Sequence, residues 1–193
     1  MSGKIVVALT GGSGAGYGVK LLEVLVELGM EVHLVVSDAA ETVIKLERME
    51  ERYIAIKEKI PDRYGEKDFT AGIASGSFIT KGMIICPCSV KTLGMVANGL
   101  DLNLVARAAT CHLKEGRKVV LVPRETPYTL QMIENMKKAA LSGCTVLPAS
   151  PGFYHGAESI EDLYGFICGK ILDVLGIKNN LFRRWGGQRI TTF

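Results

Sequence analysis

LTGGSGAGYGVKLLEVL, residues 9–25, is a glycine-rich turn set between an apolar run and an amphipathic one. The run that leads into it, KIVVALT at 4–10, reads as a buried strand. After it, Val19, Leu22, Leu25 and Val26 recur at helical spacing, and the pattern stops at Gly29. A strand–turn–helix brings free main-chain N–H groups and the positive end of a helix dipole to one point, which suits an anion such as a phosphate. A tight turn that needs only small residues would read the same way. The spacing excludes two common phosphate binders. In a dinucleotide G-x-G-x-x-G, the third glycine would fall on Tyr17 or Val19, depending on the start; in a P-loop, Tyr17 stands where the lysine must be.

Outward from that turn, strand and helix patterns alternate. EVHLVVS (31–37) predicts a second strand, followed by a helix from about Asp38 to Met49, with Asp38 and Glu41 at capping-box spacing. Residues 50–70 are polar and charged and predict a surface helix and loop. MIICP (83–87), KVVLVP (118–123) and CTVLP (144–148) predict three more strands, separated by helices beginning near Ser89, Leu102 and Tyr128 and followed by a last long helix from Ile160. Short apolar strands alternating with helices predict an α/β fold of three layers, Rossmann-like (flavodoxin-like), with a parallel sheet covered by helices on both faces. In such sheets ligands bind beyond the carboxyl ends of the strands. The residues expected there are TGGSG, SDAA, CPCSVKT, PRETP and PASPGFYH, rich in hydroxyls, glycine and proline, with an Arg–Glu pair. At the end of the second strand a NAD site would carry an acid for the ribose; here Ser37 ends the strand, and its hydroxyl suits a ribityl chain or a ring edge, or a helix cap.

The chain has 193 residues, enough for one domain with a sizeable core, and 48% of them are apolar, which excludes disorder. A net charge of +3 fits small anionic substrates, and no dense basic run or RNA-binding aromatic pattern points to nucleic acid. Five cysteines, with Cys86 and Cys88 two residues apart, fit reduced buried thiols and a cytoplasmic protein better than a disulfide framework. His33, His112 and His155 are scattered, and neither H-E-x-x-H nor paired C-x-x-C occurs, so no metal site is expected. No stretch reaches membrane-spanning length, and none reads as a signal peptide.

TGGSGAGYGVKLLEVL, the ASGS loop at 74–77, CPCSVKTL, RAA, LKE, LVPRETP, PGFYH and RWG together resemble the flavin prenyltransferases, the UbiX family, over nearly the whole chain. The resemblance implies an enzyme that joins a dimethylallyl group from dimethylallyl monophosphate to N5 and C6 of reduced FMN without a metal. The prenylated FMN would pass to a separate UbiD-type decarboxylase. It also implies a large homo-oligomer, a dodecamer in many relatives, with sites at subunit interfaces. Residues 1–193 would form one flavoprotein domain, whose tail from about 177 packs on a neighbouring subunit.

Residue by residue, the resemblance places FMN against Gly11, Gly12, Ser13, Ser37, Ser89, Val90, Lys91, Thr92 and Arg124, with Trp185 as a cover. Because SVKT opens a helix, it could hold the FMN phosphate better than the first turn, leaving the glycines to admit the flavin. The donor falls to Ser75, Gly76, Ser77, Lys114, Arg124, Tyr154 and Lys170, and catalysis to Ser13, Glu47, Glu125, Lys114 and Arg107. Lys170 interrupts an apolar pattern of Phe166, Ile167, Ile171 and Val174. Many relatives carry Asp after RAA; Thr110 stands there, which leaves the pairing of Arg107 open. The nearest rival is a flavin-dependent peptidyl-cysteine or phosphopantothenoylcysteine decarboxylase, whose PASANT-like loop and PxMNxxMW clamp are missing here. A non-catalytic flavin carrier would not need the additional cations.

Overall fold

The structure, a computed structural model, describes residues 3–186. Six strands form one sheet: β1 (Lys4–Leu9), β2 (Glu31–Val36), β3 (Arg63–Gly65), β4 (Met83–Cys88), β5 (Val119–Pro123) and β6 (Cys144–Val146). Their order is β3-β2-β1-β4-β5-β6, and every pairing is parallel. Seven helices cover the faces: α1 (Ala15–Glu27), α2 (Asp38–Leu46), α3 (Glu50–Lys57), α4 (Val90–Ala97), α5 (Leu104–Lys114), α6 (Leu130–Leu141) and α7 (Ile160–Val174).

The alternation of strand side chains sets the layers. Ile5, Val7 and Leu9 point to the face packed by α1, α2, α3 and α7; Val6 and Ala8 point to the face packed by α4, α5 and α6. Both faces are dry, which is why β1 and β4 are nearly unbroken apolar runs. The expected α/β class and parallel sheet are what the chain forms.

Three local features differ from the sequence expectation. A sixth strand, β3, lies in the segment expected to be only helix and loop; it is three residues long, pairs with β2 along the sheet edge and buries too little to leave an apolar signature. The helix expected to run to Met49 ends at Leu46, where the chain turns through Arg48 at φ +58° into α3. The cap of α2 is Ser37, whose Oγ accepts from the Ala40 N–H; Asp38 is instead the first helical residue, where its charge favours the helix dipole.

Candidate active site at the switch of strand order

Strand order reverses between β1 and β4, so the connections from these two strands leave in opposite directions and open a crevice beyond their carboxyl ends. Thr10 fastens its two lips. Its Oγ1 donates to the Pro87 carbonyl at 2.8 Å and accepts from the Ser89 N–H at 2.8 Å. The cleft has a volume of about 280 Å³ and is lined by Thr10, Gly11, Ser37, Ala39, Glu66 and the Ser89–Thr92 segment.

Two helix N-termini meet near this cleft, and they differ. At α4, Ser89 Oγ accepts from the Thr92 N–H at 3.2 Å, and the first turn carries no acid. The Val90 and Lys91 N–H groups, first in the helix, are left to an outside acceptor. At α1, Glu47 fills the corresponding position: its carboxylate accepts from the Gly14 N–H at 2.8 Å and from the Ala15 N–H at 2.7 Å. The glycine turn therefore already holds an anion, the protein's own, and the expectation of a ligand phosphate there is corrected. Glu47 is neither a solvated helix residue nor free: it follows α2 directly and ties that segment to Gly14, which needs glycine for its φ of +103°. Gly12 is different again. A Cβ there would meet Pro87 and Ser89 only at an ordinary 3.5 Å, so the protein's own packing does not demand glycine.

The remaining strand ends complete the rim. Arg124, just after β5, donates from Nε to the Ser13 carbonyl at 3.1 Å and so spans the crevice to the β1 turn. Glu125 Oε1 accepts from the Thr126 N–H at 3.0 Å. Main-chain bonds from Leu147 to Leu121 and from Ala149 to Pro123 carry the chain past β6 to the same rim, where the loop holding Tyr154 begins. Tyr154 is 70% exposed and meets Trp185 edge to face, ring centroids 5.7 Å apart; these two rings line a cavity of about 350 Å³. Ser13 is exposed on the rim, and Lys170 is exposed on α7 with no ion pair among the described residues.

Three buried thiols are unsuited to act as nucleophiles. Burial raises Cys86 and Cys88 well above the ordinary thiol range and pushes Cys168 up to about 12, so none is a ready thiolate. Among the described residues the one cluster with metal-ligand chemistry is Glu31, His33 and Asp62. It lies at the amino ends of β2 and β3, away from the cleft, and the His33 nitrogens already face Tyr64 Oη and Glu31.

Residues 2–172 match the family model described as Flavoprotein. A flavin prenyltransferase UbiX from Methanothermobacter thermautotrophicus is 46% identical over 186 residues, covering 96% of this chain and 97% of the relative. The chain belongs to the flavin prenyltransferase family. Two solved structures of relatives superpose closely. One is AnUbiX (PadA1) in complex with FMN and dimethylallyl pyrophosphate, 39% identical with a TM-score of 0.93 over 98% of this chain and 100% of that one. The other is a dodecameric FMN-dependent UbiX-like decarboxylase from Escherichia coli O157:H7, 40% identical with a TM-score of 0.88 over 95% and 100%.

Against that family pattern, one chain brings together Gly11, Gly12, Ser13, Ser37, Glu47, Ser89–Thr92, Arg124 and Glu125 on one rim. It does not bring Ser75, Gly76, Ser77 and Lys114 there. Arg117 donates to the Gly76 and Phe78 carbonyls just before β5 starts, and Phe78 stacks edge-on against His33 near the start of β2. A Cβ on Gly76 would meet Lys114 and Glu115. That group therefore sits at the amino ends of the strands, opposite the cleft. Arg107 is committed to structure, donating from Nε to the Ala74 carbonyl at 3.0 Å and pairing with Asp101 at 3.1 Å. Thr110 Oγ1 donates to the same Asp101 at 2.6 Å, so the partner of Arg107 comes from the preceding loop.

Within one chain the tail returns along α7 as far as Arg184, which pairs with Asp173; the expected packing on a neighbouring subunit concerns a second copy, and residues 187–193 lie outside the described residues. Sequence reading missed Thr10 as the clasp and Glu66 as a wall. Glu66 takes the Leu104 N–H at 2.7 Å on its carbonyl and the Asn103 amide on its carboxylate, which locks the start of α5. A threonine ending an apolar strand beside the glycines was the only available signal.

Proposed function

We propose that this chain transfers the dimethylallyl group of dimethylallyl monophosphate to N5 and C6 of reduced FMN. The observation that carries this is the unequal pair of helix N-termini: α4 presents free N–H groups to the cleft, while α1 is closed by Glu47. The donor set fits FMN. Val90 and Lys91 N–H groups, with the Ser89 and Thr92 hydroxyls, suit its phosphate; Ser37 suits the ribityl chain; Gly12 leaves room for the ring system. When bound and reduced, the flavin supplies the electron-rich N5 and C6.

The chain's own groups then have distinct work. The C–O bond of the donor breaks with its electron pair leaving on phosphate, so the leaving group gains charge. Arg124 and Tyr154, with Lys114, the Ser75–Ser77 loop and Lys170 brought from neighbouring copies, meet that charge, and side-chain cations take the place of a divalent ion. Lys170 lies near the Asp173 end of α7, the end that Lys118 ties to the start of β5. The bond to N5 takes the allyl carbon that phosphate leaves and frees the N5 proton. The bond to C6 uses the alkene pair, whose other carbon takes up a proton as C6 gives one up, so Glu125 would both donate and accept at its carboxylate, directly or through the Ser13 hydroxyl. Glu47 holds the Gly14 and Ala15 N–H groups and with them the turn that carries Ser13. Trp185 covers the apolar cavity beside Tyr154.

The placement of Lys114 and Ser75–Ser77 at the far end of the strands supports an oligomer with shared sites, a dodecamer like the Escherichia coli relative. The prenylated FMN would serve a separate UbiD-type decarboxylase in the cytoplasm. Anaerobic incubation with reduced FMN and either dimethylallyl monophosphate or the pyrophosphate, in EDTA, tests the assignment. Mass spectrometry should find a flavin heavier by one isoprenoid unit, faster with the monophosphate. Unchanged FMN with both donors would make the protein a carrier.

A further inference from the structure

The segment after α7 does not drift from the helix. It doubles back along it, and each step of the return is fastened. Asn179 Nδ2 donates to the Asp173 carboxylate at 3.0 Å and to the Gly169 carbonyl at 3.3 Å. Phe182 lies against Gly169, where a Cβ would come within 2.6 Å of its ring. Phe182 also packs on Phe166, centroids 4.8 Å apart. Arg184 closes the loop with a two-pronged pair to Asp173, at 2.9 and 2.8 Å, while its guanidinium lies over the Phe182 ring. The next residue is Trp185, against Tyr154.

We propose that Asp173 and Gly169 are positioning residues for the donor end of the site. Asp173 anchors Arg184, Gly169 seats Phe182, and together they hold Trp185 against Tyr154 over the apolar cavity. The functional half of this rests on the prenyl-transfer reading above; the geometric half does not. The guanidinium fork matches a carboxylate in a way that lysine or a neutral amide cannot, so the anchor is specific as well as attractive.

Trp185 is the single tryptophan of the chain, so its fluorescence reports on the strap without interference. The intact protein is compared with Asp173→Asn and Gly169→Ala. The first removes the charge at nearly constant shape. The second favours the helix by propensity but evicts Phe182, so a loosened tail in it is not a sign of unfolding. Trp185 is already 62% exposed, so its anisotropy should fall clearly in both while acrylamide quenching rises by less than about two-fold. Michaelis constants for dimethylallyl monophosphate should rise about three- to five-fold, the size expected of a well-formed but partly exposed ion pair. FMN affinity should stay within about two-fold. Unchanged quenching and anisotropy in both variants would overturn the strap. A loosened tryptophan with an unchanged donor Michaelis constant would overturn the positioning role. If the unaltered protein makes no prenylated flavin, the proposed function fails, and the fluorescence arm still decides the strap.

Discussion

The two ends of the sheet carry the same kinds of residue and treat them differently. At the carboxyl end, Thr10 and Arg124 bond to main-chain groups across the crevice, Ser89 caps its own helix, and together they hold a cleft open. At the amino end, Arg107 and Arg117 bond to the carbonyls of Ala74, Gly76 and Phe78 and hold a loop shut against α5, while Lys114 stays exposed. One end is a cleft built within a single chain. The other is a rigid platform presenting a serine-glycine loop and a lysine outward. Similar composition thus serves a receptor at one end and, in the proposed assembly, a contribution to a neighbour's receptor at the other.

That contrast can be broken first at Glu125. Glu125→Gln should slow prenyl transfer by ~10²–10⁴-fold with FMN binding largely kept, since it would act only on the protons moved in the reaction. Stopped-flow monitoring of flavin absorbance checks it, and weakened FMN binding with normal turnover would make Glu125 structural. Lys114→Ala should weaken apparent donor affinity by roughly ten- to a hundred-fold, the loss of one charge-assisted bond. The sharper experiment mixes subunits. At donor concentrations well below the Lys114→Ala Michaelis constant, oligomers reassembled from Lys114→Ala and Glu125→Gln chains should be more active than either alone, because some sites then receive both intact residues. No recovery in demonstrably mixed oligomers would place Lys114 and Glu125 in the same chain's site.

Thr10→Val keeps the shape of the clasp but strands the Ser89 N–H. It should cost ~1–3 kcal/mol of stability, measured by chemical denaturation, and loosen FMN more than the donor. The smallest effect concerns the platform. Burial holds the His112 pKa below its ordinary value, and the neutral ring faces Thr80 Oγ1 at 2.7 Å and the Ala108 carbonyl. Because the unfolded state then binds more protons, this contribution to stability is full above about pH 6.5 and is lost as pH falls. Donor affinity should therefore decline in mild acid before FMN affinity does, and His112→Gln should flatten the pH dependence of the melting temperature.

Much of this was legible because strands buried on both faces must be apolar throughout, and the loops between them are where chemistry can stand. KIVVALT and MIICP announce β1 and β4, and the residues that follow them form the cleft. What escaped reading depends on contacts between distant positions. Nothing local to Glu47 says that it reaches the Gly14 N–H across 33 residues. Ser37 and Asp38 are both competent caps, and only the strand's end decides between them. β3 gains its identity from pairing with β2 alone. Lys114 and Tyr154 look equivalent in a motif, yet α5 ends with one at the amino end of the sheet, while the loop that holds the other starts at the carboxyl end.

The carboxylate that closes α1 has a further consequence. Two phosphorylated molecules must enter one crevice, and a fold with two open helix ends would let either molecule take either berth. With Glu47 resident, a phosphate arriving at α1 meets a like charge instead of a row of donors. In the proposed reaction this would give the crevice a polarity: the larger ligand would dock in one direction only, and the smaller one would be left the end beside Arg124. An internal acid that never leaves its place would thus act as a sorting rule for molecules that do.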